Sequence, residues 1–360
     1  MDASSSGPEP RETPPSSAAP SRWWSERFGA AARAPFGSLR VPNDRSRFGW
    51  HLAGLALLCL LVQAVTGLLL LVHFRPGEHA WESVAHLSSQ VPFGWLVRGL
   101  HALCSHLLVA LALLHLGITF ASRAFRRPRE LTWIAGSFVL ALVLALAATG
   151  AALPGDQASV LAARVDARLL ASVPMIGPTL ASIAAGGGSD LEIAHRFFAF
   201  HVGMLPAALL LAATAHLALV RAHGSSCSAS TPTVPWFPDF LRRELVVWIV
   251  ALGLLSAAVA LWPPPMLPRH DALQPAPEGL RPAWYFMPAY QAIRLLPARL
   301  GPLRGEQVAV VAALLSFGAL CLAPFWASSR RQTARRATTV IVAALAVITI
   351  VFAACGYSNG

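Results

Sequence analysis

Residues 98–117 read "RGLHALCSHLLVALALLHLG", an apolar run that nonetheless carries three histidines, His101, His106 and His115. Such a run is long enough to cross a bilayer, because about 20 apolar residues at ~1.5 Å rise each span a hydrocarbon core of ~30 Å. Imidazoles in that setting cost free energy unless something partners them. What partners them decides the reading of the whole chain.

Composition fixes the solvent. The 360 residues are 55% hydrophobic and 12% charged with a mean hydropathy of +0.56, which excludes a water-soluble domain of this size. Seven apolar segments emerge, at roughly 50–73, 95–121, 133–153, 197–221, 244–262, 307–327 and 337–355. The short alternating segments of a membrane barrel do not appear. The expected fold class is therefore an all-α integral membrane protein with seven transmembrane helices. Residues 1–47 read as a Ser/Pro/Ala-rich disordered tail ending in an interfacial Trp/Phe/Arg segment. After it come a four-helix unit at 48–222, a cytoplasmic linker at 223–243 and a three-helix unit at 244–356.

Arginines orient the spans, since short cytoplasmic loops collect positive charge. Arg123, Arg126, Arg127 and Arg129 follow the second span, Arg242 and Arg243 the fourth, and Arg330, Arg331, Arg335 and Arg336 the sixth. Those loops are expected in the cytoplasm, with the N-terminus, in a bacterial cytoplasmic membrane. The formal charge of +11 then reads as an orientation signal and an attraction to anionic lipid headgroups, not as a nucleic-acid surface. Five cysteines, Cys59, Cys104, Cys227, Cys321 and Cys355, form neither a zinc spacing nor a C-x-x-C-H motif, so they read as buried thiols.

The histidines carry a pattern. His101 and His115 are 14 positions apart on the second span, which returns to within about 40° of one face some 21 Å further on. His201 and His216 on the fourth span are 15 positions apart, offset by about 60° over ~22 Å. Spans two and four run in the same direction, so His101 can face His201 and His115 can face His216. Two imidazoles at one depth and two more about 20 Å deeper suit two haems, each with both axial positions filled by histidine. His106 lies about 180° around the helix from His115 and reads as a packing residue. Gly136 and Gly150 on the third span repeat the 14-residue interval, and Gly67 stands on the first span fourteen positions after Ala53. Such small residues let a flat macrocycle approach a helix.

These features resemble the cytochrome b/b6 family of quinol-oxidising bc-type complexes. The segments that carry the resemblance are "LLVQAVTGLLLLVHFRP" (60–76), "FGWLVRGLH" (93–101), "FRRPRELTWIAG" (125–136), "TGAALPGDQ" (149–157), "VPMIGPTL" (173–180), "RFFAFHVGMLP" (196–206) and "RPAWYFMPAYQAIRLLP" (281–297). Together they cover about residues 45–356, with a b6-like half and a subunit IV-like half fused in one chain. The resemblance implies an N-terminal four-helix di-haem bundle plus three further helices. In it His101 and His201 would hold the outer b-type haem iron, and His115 and His216 the inner one. Arg98 and Arg196 match family arginines that pair with haem propionates. The family's arginine after the inner ligand is Ile118 here, which leaves that pairing to Arg123 or Arg126. Also implied are a quinone or quinol substrate, a Rieske-type iron–sulfur protein, a cytochrome c or similar acceptor, and a homodimer of complexes.

Departures from the family matter most at the quinol-site motif. The family's Pro-Glu-Trp-Tyr motif, whose acid accepts a quinol proton, reads Pro282-Ala283-Trp284-Tyr285. Glu278, Asp271 or Tyr285 is the expected substitute. Gly155 stands where b6 has tryptophan, and His51 stands where b6 carries the cysteine of an additional covalent haem, which argues against a third haem. The function these residues point to is transmembrane electron transfer in a quinol:acceptor oxidoreductase, coupled to proton translocation. Two alternatives are a di-haem anchor exchanging electrons with the quinone pool without bifurcation, favoured by Ala283, and a structural assembly subunit.

Overall fold

The computed structural model describes residues 40–43, 47–224, 230–275 and 278–327, with residues 340, 347, 349–352, 354 and 355. Among these, six helical stretches are long and apolar enough to cross a membrane. The seventh expected span, 337–355, lies mostly outside the described residues.

Helix α1 (Arg47–Leu71) is followed by the short α2 (Ala80–Ser89), then by α3 (Gly94–Ala121) and α4 (Glu130–Ala151). Two short helices, α5 (Gln157–Ala171) and α6 (Gly177–Ala185), lie between the third and fourth spans. Asp156 caps α5 by accepting from the Ser159 amide at 2.8 Å, which satisfies one orphan donor of the first turn. The fourth span is α7 (Asp190–Ala199), a π turn (Phe200–Met204) and α8 (Leu205–His223), running without a break. Pro206 explains the π turn: lacking an N–H, it cannot close the ordinary bond to the preceding turn, and the helix widens by one residue there. Beyond come α9 (Leu241–Leu261), α10 (Met287–Leu295) and α11 (Gly305–Ala327).

Apolar side chains of α1, α3, α4 and α9 share the main core, in which Cys59, Cys104, Val109 and Val259 are almost fully buried. Helix α1 lies along α3, and α4 along α8. Polar ties, among them the following, fasten the later helices and the linker to this bundle. The Trp133 indole donates to the Leu320 carbonyl at 2.7 Å, joining α4 to α11. His51 on α1 meets the buried Glu244 of α9 at 2.6 Å, and Trp248 donates to the same carboxylate at 3.1 Å. A buried acid needs such partners. Finally, Arg40–Pro42 pairs antiparallel with Thr233–Pro235, with Val41 fully buried. The last residues of the expected tail therefore form a strand against the linker between the halves.

Candidate di-imidazole sites and the pocket beside Tyr285

His101 on α3 and His201 in the π turn face each other with ring centres 6.3 Å apart and planes at 75°. Two imidazoles on opposite sides of one metal, each bonded at about 2 Å, would place their ring centres roughly 6 Å apart, so the separation fits a single bridging metal centre. Their backing nitrogens are held. His101 Nδ1 donates to the Thr66 hydroxyl at 2.9 Å, and that hydroxyl passes its own hydrogen to the Val62 carbonyl at 2.5 Å. His201 Nδ1 bonds the Leu146 carbonyl at 3.1 Å and the Thr149 hydroxyl at 3.2 Å, the latter donating to Ala145 at 2.8 Å. Fixing the hydrogen on Nδ1 leaves Nε2 with its lone pair, the arrangement a metal-ligating imidazole adopts.

Towards the opposite ends of the same two spans stand His115 on α3 and His216 on α8. His216 Nδ1 donates to the Thr132 carbonyl at 2.9 Å. His115 Nδ1 is buried and makes no hydrogen bond among the described residues. The two histidines of the fourth span share a face even though 15 residues separate them. A straight helix would rotate them apart by about 60°, but the π turn takes up the extra residue.

The glycines have a more specific task than was expected of them. A Cβ on Gly67 would lie 3.3 Å from His101 Cε1, one on Gly136 would lie 3.0 Å from His216 Cε1, and one on Gly150 would lie 2.6 Å from His201 Cε1. Each glycine makes room for an imidazole itself. Two of them follow a threonine that anchors the same ring, so Thr66-Gly67 and Thr149-Gly150 are paired devices on facing helices. The repeated Thr-Gly dipeptide is visible in the sequence, although its meaning appears only once the rings are in place. Among the described residues no group of three or more His, Cys, Asp or Glu gathers as a metal cluster.

Both expected propionate partners have protein acceptors. Arg98 donates to the Pro264 carbonyl at 2.8 Å and to that of Pro265 at 2.9 Å, while Arg196 Nη1 donates to the Ile183 carbonyl at 3.1 Å. Arg98 thus clips the 262–268 segment onto the end of α3 that carries His101.

This segment leads to the Pro-Ala-Trp-Tyr motif. The Phe286 amide donates to the Ala283 carbonyl at 2.8 Å in a turn that directs Tyr285 into the main core. Burial pushes its phenol up to about 12, so at neutral pH Tyr285 keeps its proton and serves as a donor, not a base. Glu278 and Asp271 are exposed, and the Asp271 carboxylate accepts from the Leu273 amide at 2.9 Å. The titratable ring packed on Tyr285 is that of His106, at 5.6 Å between centres. A cavity of about 250 Å³ adjoins it, lined by Ala102, Leu103 and His106 of α3 and by Ala258, Val259, Trp262 and Pro264. His106 was read from the sequence as a packing residue because it faces away from the ring of His115. That reading was silent on what lay on the other side.

Six apolar helical stretches that set His101 and His201 face to face, each with Nδ1 held by a hydrogen bond, define a helical membrane protein with a candidate metal-binding imidazole pair. The chain belongs to the cytochrome b/b6 family. Residues 106–268 match the family model described as cytochrome b (N-terminal)/b6/petB, and residues 271–359 match that of cytochrome b (C-terminal)/b6/petD. It is 36% identical over 209 residues to cytochrome b6 of Heliomicrobium gestii, covering 98% of that protein and 57% of this chain. It is 32% identical over 266 residues to the cytochrome bc complex cytochrome b subunit of Chlorobaculum thiosulfatiphilum. Of Mycosarcoma maydis cytochrome b it shares 34% over 262 residues. These alignments take in 71% and 70% of this chain but 61% and 66% of the two relatives' lengths. In fold it resembles a chain of a hyperthermophilic respiratory Complex III, with a TM-score of 0.67 at 23% identity over 86% of this chain and 89% of the other.

Proposed function

We propose that the chain is the di-haem, quinone-binding subunit of a bc-type quinol:acceptor oxidoreductase, carrying electrons across the membrane between an outer quinol site and an inner quinone site. The observation that carries this reading is the facing of His101 and His201, each with Nδ1 anchored and Nε2 free, together with the corresponding pair His115 and His216 at the other end of the same helices. Haem iron, when bound, supplies reversible one-electron chemistry in a layer that water does not enter. The chain's residues do the rest. Thr66, Thr149 and the carbonyls of Leu146 and Thr132 hold the imidazoles in the ligating tautomer. Gly67, Gly136 and Gly150 let α1 and α4 close around them. Arg98 and Arg196 stand at the His101 end, where propionates would compete with carbonyls for their guanidiniums.

With the arginine-rich loops in the cytoplasm, the His101 end is the outer one. There quinol gives up two protons and two electrons, one electron to a Rieske-type iron–sulfur partner and on to a cytochrome c or similar acceptor, the other inward along the imidazole pairs. Two such inward electrons, with two cytosolic protons, reduce one quinone on the inner side. The complexes pair as homodimers. Ala283 favours a second reading, a di-haem anchor in which both electrons follow one path. A haem-free assembly subunit is disfavoured by the anchored histidines.

The test uses membranes containing the whole complex and follows haem absorbance after addition of a short-chain quinol. Reduction of b-type haem is expected, and His115→Ala or His216→Ala should leave one haem reducible while halting transfer to quinone on the far side. Absence of quinol-driven reduction in the native complex refutes the proposal.

A further inference from the structure

The His101 end holds a further histidine on the same helix, His106, with no part in either imidazole pair. It lies five residues along α3 from His101, about 7.5 Å deeper into the membrane, and its side chain is exposed at the surface of the bundle. An imidazole at that depth is costly unless it serves a cavity or a proton path. The 250 Å³ cavity it borders is walled by Ala102, Leu103, Ala258 and Val259, with Trp262 at the rim, three-quarters exposed. Arg98 pins the Pro264 carbonyl above it. Tyr285 packs on the histidine from the 262–286 segment. A small apolar slot open to the lipid, with one base and one phenolic donor at its edge, suits a hydroxylated aromatic ring whose tail stays in the bilayer.

We propose that this cavity receives the quinol head group and that His106 is the proton acceptor that Ala283 cannot be. The assignment rests on the reading of the chain as a quinol-oxidising subunit. In the step, the neutral imidazole forms an N–H bond as one quinol O–H bond breaks, giving imidazolium and a quinol anion. The electrons then leave singly to the two one-electron acceptors named above; the imidazolium returns its proton to the outer water and, neutral again, takes the second O–H proton by the same route, leaving quinone. Other groups around His106 do not compete for that proton. Tyr285 faces it as a donor, Ala258, Val259 and Trp262 of the α9 wall carry no titratable group, and the Arg98 guanidinium two turns away is held by carbonyls.

The experiment compares the native complex with His106→Gln and His106→Phe in membranes whose haem content is checked by absorbance. Quinol-driven haem reduction is followed between pH 5.5 and 8.5, and a photoreactive azidoquinone is mapped by peptide sequencing. General-base catalysis contributes on the order of 10²-fold or more, so both variants should lose at least that factor with native haem content. The acidic limb of the native pH profile should disappear with them. Labelled peptides should include 102–106 or 258–264, and excess short-chain quinol should suppress that label. Normal rates and an unchanged pH profile in both variants, or a label confined to other helices, overturn the assignment while leaving quinol oxidation by the complex intact. Loss of activity in Glu278→Gln alone also overturns it. If the native complex neither reduces haem with quinol nor takes the label, the proposed function fails with it.

Discussion

Placing a methyl group at Gly150 should disturb the structure far more than the same change elsewhere in the spans. Alanine is ordinarily the better helix former by about 1 kcal/mol. Here the new Cβ would stand 2.6 Å from His201 Cε1, against an ordinary contact of 3.4 Å or more, so about 0.8 Å must be found. The imidazole cannot give way freely, being held by the Leu146 carbonyl at 3.1 Å and the Thr149 hydroxyl at 3.2 Å. Overpacking of this kind costs about 1–3 kcal/mol, which outweighs the propensity gain. The same change at Gly136 meets His216 at 3.0 Å, and at Gly67 it meets His101 at 3.3 Å, whereas at Gly117 nothing lies within 4 Å. The expected order of damage is Gly150→Ala, then Gly136→Ala, then Gly67→Ala, with Gly117→Ala neutral or stabilising. Thermal denaturation in detergent and the low-spin haem absorbance of each variant measure this order. If Gly150→Ala proves as harmless as Gly117→Ala, the glycines are not there to admit the imidazoles.

Thr66→Val removes the bond made by His101 Nδ1 at 2.9 Å. It should raise the midpoint potential of the haem at that end, because an imidazole without its backing bond is a poorer electron donor; Thr149→Val should do less, since the Leu146 carbonyl also holds His201. Redox titration of both variants checks this. Burial raises Asp166 on α5 to about 6, so the folded chain holds its proton more tightly than the unfolded one and stability should fall as pH rises from about 4 to 6. Asp166→Asn should flatten that slope and add up to about 3 kcal/mol at pH 7, read from denaturation midpoints. Arg126→Cys should resist a membrane-impermeant thiol reagent in intact cells if its loop is cytoplasmic, and ready labelling would exchange the two sides.

Much of the architecture was legible because lipid imposes one rule on a helix, about 20 apolar residues, and the chain obeys it openly. The facing of His101 and His201 was legible for a similar reason, since position along a straight helix translates into depth and angle. The same arithmetic left His201 and His216 skewed, because a π turn forced by Pro206 depends on hydrogen bonds that a count of residues does not see. Thr66 and Thr149 went unnoticed although each sits beside a glycine singled out for its size. A hydroxyl in a span usually bonds its own helix, and both of these do so as well as holding a ring. His106 was dismissed on angle alone. Its significance lies in Tyr285, 179 positions later in the chain, and only tertiary packing joins the two. Glu278, attractive as a carboxylate five residues before Ala283, stands in solvent.

The most direct measurement is a haem count joined to a redox titration on the purified complex. Acid–acetone extraction should remove all haem bound to this chain, two per chain, and the titration should resolve two low-spin components. His101→Ala or His201→Ala should abolish one of these, and His115→Ala or His216→Ala the other. One haem per chain, haem that resists extraction, or loss of the same component from both sets of variants would contradict the assignment of two facing histidine pairs to two non-covalent haems.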